Sequence, residues 1–500
     1  MNFRIQTPCD TRVDRLARIL MSVHRALRVT TMASAINLML AVLSAVLLAR
    51  WLTPAEIGVF SVAVSVTAFT HILREFGVPQ YFLQLKELTR DHLRAGFTAM
   101  LLMSWSLAAL LVLIAAPISA FYREPSIAEV FYVLALSFVI LPFGSHVLSQ
   151  LKRDLAFEKV AWLGIANTAV QTTVTLALAW HGHSSVSMAW GTFAGNVANV
   201  LLLWAFRPDV AWLRPTTQHL RSLFGFGGTV GSASLLAQLG TAAPDLVLGR
   251  TQSVVEVAQF SRAGGLLNML VARIDTILLQ VFAPVFAQRL REGQAAAPLL
   301  AHTIRVHTGL VMPLTCGLAV IGGPLTLLVF GPQWQVASQL APLLLLYAAV
   351  VAPVTFASSA LAAGGHVQAM LRANLWSNGS LILVLLSSAW LSLTEMVLLL
   401  LLAKFAHAAA WQVELRRHFG FDWRGTLAAS LPSAWLCLWV MIPMLLVQLF
   451  ARDLPQVGYL AIQCLVGSAA FVLALRRSQH PLRAELLRLA PPLKWLLAKP

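Results

Sequence analysis

The chain has 500 residues, 58% of them hydrophobic and 11% charged, with a mean hydropathy of +0.75. Soluble domains carry about 25% charged residues, so a chain this poor in charge cannot cover a water-facing surface and reads as an all-α, polytopic membrane protein. A net charge of +16 would suggest nucleic acid in a soluble protein; here it marks loops held on the cytoplasmic side, and no nucleic-acid partner is expected.

No convincing signal peptide opens the sequence. Asp10 and Asp14 interrupt any early apolar core, and the first long apolar run begins near Thr30. Residues 12–28 place Val13, Leu16, Leu20, Val23 and Leu27 at helical spacing, with Arg12, Arg15, Arg18, Arg25 and Arg28 between them. That pattern suits a helix lying on the cytoplasmic face of the membrane. A spanning helix needs about 20 mostly apolar residues. About fourteen such stretches follow, centred near Leu40, Val66, Leu107, Leu136, Val170, Ala194, Leu236, Leu270, Leu310, Val350, Leu381, Leu402, Leu438 and Val466.

Lys and Arg orient these spans. With the N-terminus inside and the helices alternating, 28 of the 36 basic residues fall in inside segments and five outside. The other three, Arg74, Arg273 and Lys404, lie in helices or at their ends. Cytoplasmic loops are the basic ones, so both termini are expected in the cytoplasm. The resulting plan is an amphipathic segment (1–28), an N-lobe of helices one to six (29–206), a C-lobe of helices seven to twelve (222–415), two further helices (425–475) and a basic tail (476–500). All loops are short, so no soluble domain is expected.

The two lobes are suggested by an internal repeat. Residues 48–63 read LARWLTPAEIGVFSVA, and residues 248–263 read LGRTQSVVEVAQFSRA. At an offset of 200, six of sixteen positions are identical: Leu48/Leu248, Arg50/Arg250, Glu56/Glu256, Phe60/Phe260, Ser61/Ser261 and Ala63/Ala263. Each copy is the outside hairpin between an odd and an even helix. Two six-helix lobes related by a pseudo-two-fold, with two C-terminal helices appended, follow from such duplication.

Other patterns carry less. Cys9, Cys316, Cys437 and Cys464 form no CxxC, so neither a disulfide framework nor a zinc site is indicated. HGHS at 181–184 lacks further ligands and reads as a wet loop. GFGGTVG at 225–231 has no strand before it and no acidic partner. Gly227/Gly231 and Gly191/Gly195 instead give GxxxG spacings, suited to close helix packing. Paired catalytic carboxylates, a nucleophile elbow and a metal cluster are all missing from the pattern, so no enzyme and no cofactor is expected.

LARWLTPAEIGVFSVA, REFGVPQYFLQ at 74–84, PDLVLGRTQSVVEVAQFSRAGGLLNML at 244–270 and VFGPQWQVASQLAPLL at 329–344 together resemble the polysaccharide-transporter family of Wzx-type oligosaccharide flippases. The resemblance covers nearly the whole chain. It implies two six-helix lobes around a central cavity, inward- and outward-open states, and transport without ATP. It also implies a bacterial inner-membrane, multi-pass protein acting in O-antigen, exopolysaccharide or capsule biosynthesis. The implied substrate is an undecaprenyl-pyrophosphate-linked oligosaccharide, with membrane lipid, a polysaccharide polymerase and a chain-length regulator as further partners. A cation-coupled multidrug antiporter of the same superfamily and a membrane polysaccharide polymerase or glycosyltransferase are the alternatives.

Such a substrate is an anion, and charged side chains inside a bilayer usually have a functional or pairing reason. Arg262 and Arg273 lie eleven residues apart on helix eight. At about 100° and 1.5 Å per residue they share a face, about 16 Å apart along the axis. They can form a cationic stripe for phosphate oxygens, or Arg273 can pair with Asp275 or Asp245 while Arg262 snorkels. Arg74 is a third substrate candidate, at the inner end of helix two, or simply a topogenic charge. Asp245, beside Pro244, and Asp275 are candidates for ion coupling; Asp245 can equally pair with Arg262. Arg50, Arg250, Glu56 and Glu256 read as an outer gate of crossed pairs or as helix-end anchors. Asn37 and Lys404 are weaker candidates for substrate contact.

Overall fold

Helices alone account for the regular structure: no strand occurs among the described residues. The computed structural model describes residues 12–75, 78, 82, 89–154, 156–208, 213–218, 220–450 and 454–489. The side chains of residues 12–28, 75, 157, 221–222, 224–234, 236–237, 266–270, 273, 280–281 and 488–489 lie outside that description. In chain order the α-helices are α1 (Arg12–Trp51), α2 (Pro54–Glu75), α3 (Arg90–Tyr122), α4 (Ser126–Ile140), α5 (Pro142–Arg153), α6 (Phe157–Trp180), α7 (Val186–Phe206) and α8 (Leu220–Thr251). There follow α9 (Val254–Arg291), α10 (Ala296–Phe330), α11 (Gln335–Val351), α12 (Ala357–Ala363), α13 (Val367–Leu386), α14 (Leu393–Phe419), α15 (Trp423–Phe450), α16 (Gln456–Arg477) and α17 (Pro481–Leu489).

Among the described residues ten helical stretches are long and apolar enough to cross a membrane, and eleven if the pair α4 and α5, bent by 55°, is one span. The bend falls at Pro142, which lacks an N–H and crowds the preceding turn. The remaining expected spans are α6, α8 and α9, which are 24, 32 and 38 residues long. At 1.5 Å per residue these reach about 36–57 Å, enough for a hydrocarbon core of about 30 Å. α6 is weakened as a span by Asn167, Gln171, Thr172 and Thr175, while parts of α8 and α9 have side chains outside the described residues. The segment 12–28 runs without a break into the first span as part of α1; residues 1–11, with Cys9, lie outside the described residues.

The chain divides into two compact units: Met1–Trp51 with Thr70–Ser232, and Leu52–Phe69 with Ala233–Pro500. In the first, α6 and α7 approach closely through Gly191 and Gly195. A Cβ on Gly191 would lie 1.8 Å from Thr175 Oγ1, and one on Gly195 would lie 3.0 Å from the Asn167 carbonyl oxygen. Lipid tails are as apolar as leucine, so helices in a bilayer are held by such close packing rather than by exclusion of water. Gly227 and Gly231 are helical within α8, with their surroundings outside the described side chains. In the second unit a cluster of Phe282, Phe286, Phe356 and Trp411 locks α9, α12 and α14 together. The Phe282 ring sits 5.0 Å from both Phe286 and Phe356. Cys316 and Cys437 are buried free thiols of this unit, and Cys464 is an exposed one.

The outer surface is apolar. Leu113, Trp376, Trp390 and Phe450 are 74–87% exposed. On a soluble protein such faces would drive aggregation; on a membrane protein they meet lipid. Trp51 and Trp180, at the ends of α1 and α6, stack edge-on at 5.3 Å. Tryptophans at span ends are suited to the membrane–water interface.

Candidate functional site

The repeat in the sequence is a repeat in the backbone. α1 ends at Trp51 and α2 starts at Pro54; α8 ends at Thr251 and α9 starts at Val254. The offset of 200 holds at both boundaries. Each two-residue link ends in a hydroxyl that caps the next helix, with a glutamate three residues on. Thr53 donates to Glu56 Oε2 from its N–H at 2.7 Å and from its hydroxyl at 2.9 Å, while the Glu56 N–H donates to Thr53 Oγ1 at 3.3 Å. In the second copy the Ser253 hydroxyl donates to Glu256 and accepts from the Val255 N–H at 3.2 Å. The first copy is a capping box and the second a hydroxyl cap backed by the glutamate, and both satisfy open donors of a helix start. Both glutamates thus bond within their own hairpins. Arg50 and Arg250 are exposed in the last turns of α1 and α8, where the helix dipole favours a cation.

The two starts meet. The Cβ that Gly58 lacks would lie 1.7 Å from the Val254 carbonyl oxygen, so α2 rests directly on the first turn of α9. Gln333 extends the contact by donating to the Leu52 carbonyl at 3.1 Å. Gln259 of α9 donates to the Gln333 carbonyl at 3.0 Å and accepts from the Ala337 N–H at 2.9 Å.

Arg262 lies three residues beyond Gln259 and therefore on the same side of α9. Its guanidinium stands 5.7 Å from the Phe330 ring and 5.8 Å from the ring of Trp334, a fully buried side chain. Its Nε is buried without a hydrogen bond, and no carboxylate pairs with it among the described residues. Burying an arginine away from water is costly. A desolvated cation–π contact returns roughly 0.5–2 kcal/mol per ring, so the two rings offset part of that cost without occupying the N–H donors. Asp245, the alternative partner, accepts instead from the hydroxyl of Ser65, a buried residue of α2, at 2.7 Å.

Further along α9, Asp275 Oδ1 lies 2.6 Å from Nε2 of His307 on α10. The other ring nitrogen of His307, Nδ1, is 3.0 Å from the carbonyl oxygen of Ala352. Asp275 is therefore held by His307, a pairing the sequence did not suggest. Arg273 is on the same unbroken helix as Arg262, as the cationic stripe requires; its side chain lies outside the described residues. In the first unit Arg74 is buried and donates to Ser145 Oγ of α5 at 2.8 Å. Asn37 contributes a buried Oδ1 without a partner. In the second unit Lys404 stands 4.5 Å from the Tyr347 ring.

A family model described as polysaccharide biosynthesis protein matches residues 47–339. The chain belongs to that family. The matched region runs from the first copy of the repeat through the second and takes in Arg262, Asp275, His307 and Trp334. This family member is 21% identical over 313 residues to the lipopolysaccharide biosynthesis protein WzxC of Escherichia coli (strain K12), covering 61% of this chain and 63% of that one. It is 22% identical over 307 residues to the succinoglycan biosynthesis transport protein ExoT of Rhizobium meliloti (strain 1021), covering 61% and 62%. The chain thus spans less than two thirds of the length of either relative. Its fold matches a solved structure of the lipid II flippase MurJ in an inward closed conformation with a TM-score of 0.71 at 11% identity, over 89% of this chain and 97% of that one.

For a polysaccharide biosynthesis protein built this way, the partners that matter are distant in sequence. Phe330 and Trp334 lie about seventy residues from Arg262, and both fall in or beside the stretch VFGPQWQVASQLAPLL. An aromatic pair flanking a Gly-Pro link at a span end was the available signal. Ser65 and His307 gave none, being an ordinary hydroxyl and a lone histidine in apolar helices.

Proposed function

We propose that this chain is a flippase, not an enzyme. It takes an undecaprenyl-pyrophosphate-linked oligosaccharide from the cytoplasmic leaflet of the bacterial inner membrane and presents it on the other side by alternating access. Both termini face the cytoplasm, the two lobes follow the plan of residues 29–206 and 222–415, and a polysaccharide polymerase and chain-length regulator receive the product. The observation that carries this reading is Arg262: a cation inside the helical bundle, seated on two aromatic faces and lacking an acidic partner among the described residues. Guanidinium donors left open in a dry site suit pyrophosphate oxygens, which they can bind two at a time. Family membership and the names of WzxC and ExoT support the same substrate class. Arg273 extends the site along α9, and Arg74 assists on the cytoplasmic side. Asp245 and Asp275 serve ion coupling.

The test is translocation of lipid-linked oligosaccharide by the purified full chain in proteoliposomes, with surface polysaccharide in cells as the parallel readout. Arg262→Gln and Arg273→Gln should each abolish both while protein accumulates normally. Polysaccharide unchanged in both variants would remove the arginines from the substrate path. Drug sensitivity in a deletion strain with normal polysaccharide would favour a multidrug antiporter instead.

A further inference from the structure

Three elements of the second unit converge on one imidazole. His307 comes from α10 and is 1% exposed. Asp275 comes from α9, with its side chain 25% exposed. The third group is the carbonyl of Ala352, in the 3-10 segment Ala352–Val354 that interrupts the span Pro332–Ala363. Phe356 closes the site, its ring edge-on to the imidazole at 4.9 Å.

The break explains why the carbonyl is available. Pro353 has no N–H and ends α11. The Ala352 oxygen then accepts only a long 3-10 bond from the Thr355 N–H, at 3.4 Å. A lone pair remains for His307.

The geometry fixes a proton count. A carbonyl only accepts, so Nδ1 of His307, 3.0 Å from it, carries a hydrogen. A neutral imidazole then has a lone pair at Nε2, and an ionised Asp275 offers only lone pairs as well. Two lone pairs facing at 2.6 Å repel, most strongly where water is excluded. One proton must lie between them. The pair is either imidazolium with carboxylate or imidazole with carboxylic acid, and both forms are neutral overall. Neutrality matters here because an uncompensated charge inside the bundle costs several kcal/mol. Loss of that proton turns the contact repulsive and releases α9 from α10 at this point.

We infer that Asp275 and His307 together form a proton-binding site through which a proton gradient acts on the transport cycle. The inference rests on the transporter reading above. The half-buried carboxylate is the entry: it takes one proton from the water on one side and returns it to the other, and no other atom changes hands. Neighbouring charges have their own recorded contacts. On α10, His302 pairs with Glu485 of α17 at 3.6 Å, and Arg305 lies beside His480. On α14, Lys404 faces Tyr347 and His407 faces Trp411. The side chain of Arg273, two residues before Asp275, lies outside the described residues.

The experiment is a pH titration of the full chain in lipid nanodiscs, followed by 15N NMR of its labelled histidines, with His307→Gln assigning the His307 ring. In the wild type His307 should show one titration step shared with Asp275. In Asp275→Asn, whose amide can donate to Nε2, that step should be lost because the ring stays neutral. A step unchanged in Asp275→Asn overturns the proposal. If Asp275→Asn fails to fold, Asp275→Glu decides: the step should move, and an unmoved step overturns the proposal equally. In proteoliposomes an imposed pH gradient should speed lipid-linked saccharide transport by the wild type and leave Asp275→Asn unaffected; a wild type indifferent to the gradient overturns coupling. Titration needs no substrate, so a wild type that titrates as expected yet moves no lipid-linked saccharide would sink the functional reading alone.

Discussion

Replacing Gly58 with alanine should undock the start of α2 from α9. The added Cβ would sit 1.7 Å from the Val254 carbonyl oxygen and 2.5 Å from its carbon. Neither is a flexible side-chain end. Bringing the nearer contact out to 3.0 Å needs a shift of 1.3 Å between two helix backbones. That shift strains the Gln333 bond to Leu52, at 3.1 Å, and the Ser65 bond to Asp245, at 2.7 Å. Overpacking of this kind costs about 1–3 kcal/mol, which moves a two-state equilibrium by about 5–150-fold. Val62 lies four residues after Gly58 and three before Ser65, on the same helical face, and is fully buried. With the native cysteines replaced, a cysteine at position 62 should therefore react with maleimide only in the undocked state, at a rate set by the undocked fraction. Gly58→Ala in that background should raise the rate by the same 5–150-fold. Unchanged labelling, with an unchanged melting temperature, would show that the contact does not hold this conformation.

Trp334→Ala should cost about 3–5 kcal/mol, the range for emptying a buried aromatic site, and should abolish transport per folded molecule. Trp334→Phe keeps a ring near Arg262 and should retain most transport; melting curves and transport rates compare the two, and equal transport by both would remove the ring from the role given it. His480 lies outside the spans, buried against Gly309, and burial followed by the charge of Arg305 pushes its pKa from 6.5 to about 4. The folded ring is thus neutral where the unfolded one takes a proton, so its contribution is complete above pH 6.5 and is lost as the pH falls towards 4. His480→Asn should flatten the fall in melting temperature across that window; parallel curves for variant and wild type would contradict the assignment.

Spans were legible because lipid imposes a length and a composition that no tertiary contact overrides. Even so, α6 sits at the margin, since Asn167, Gln171 and Thr175, which weaken its apolar signal, lie against α7. The same limit governs the site. Helical spacing put Arg262 and Arg273 on one face of α9, but what lies opposite that face is chosen by packing. Asp275 could be assigned to Arg273 or left to an ion on sequence grounds, whereas its partner is His307, 32 residues away. The helix starts are the reverse case: Thr53-x-x-Glu56 and Ser253-x-x-Glu256 are local patterns with a local meaning.

That separation of local from tertiary signal explains how duplicated halves can diverge. The hydroxyl and glutamate that build each turn recur in both copies, so the backbone of the hairpin is the same at residues 51–54 and 251–254. Position 62 is a buried valine in the first copy. The equivalent Arg262 has acquired an aromatic seat from Phe330 and Trp334, residues with no role in the turn. Position 45 is alanine, and the equivalent Asp245 binds Ser65 from the other copy's hairpin helix. A charge introduced at either position leaves the turn intact, because none of the capping atoms is involved. It must find compensation from distant residues, and in this chain both charges have found it. The second copy can therefore carry the ionic chemistry while the first keeps the scaffold.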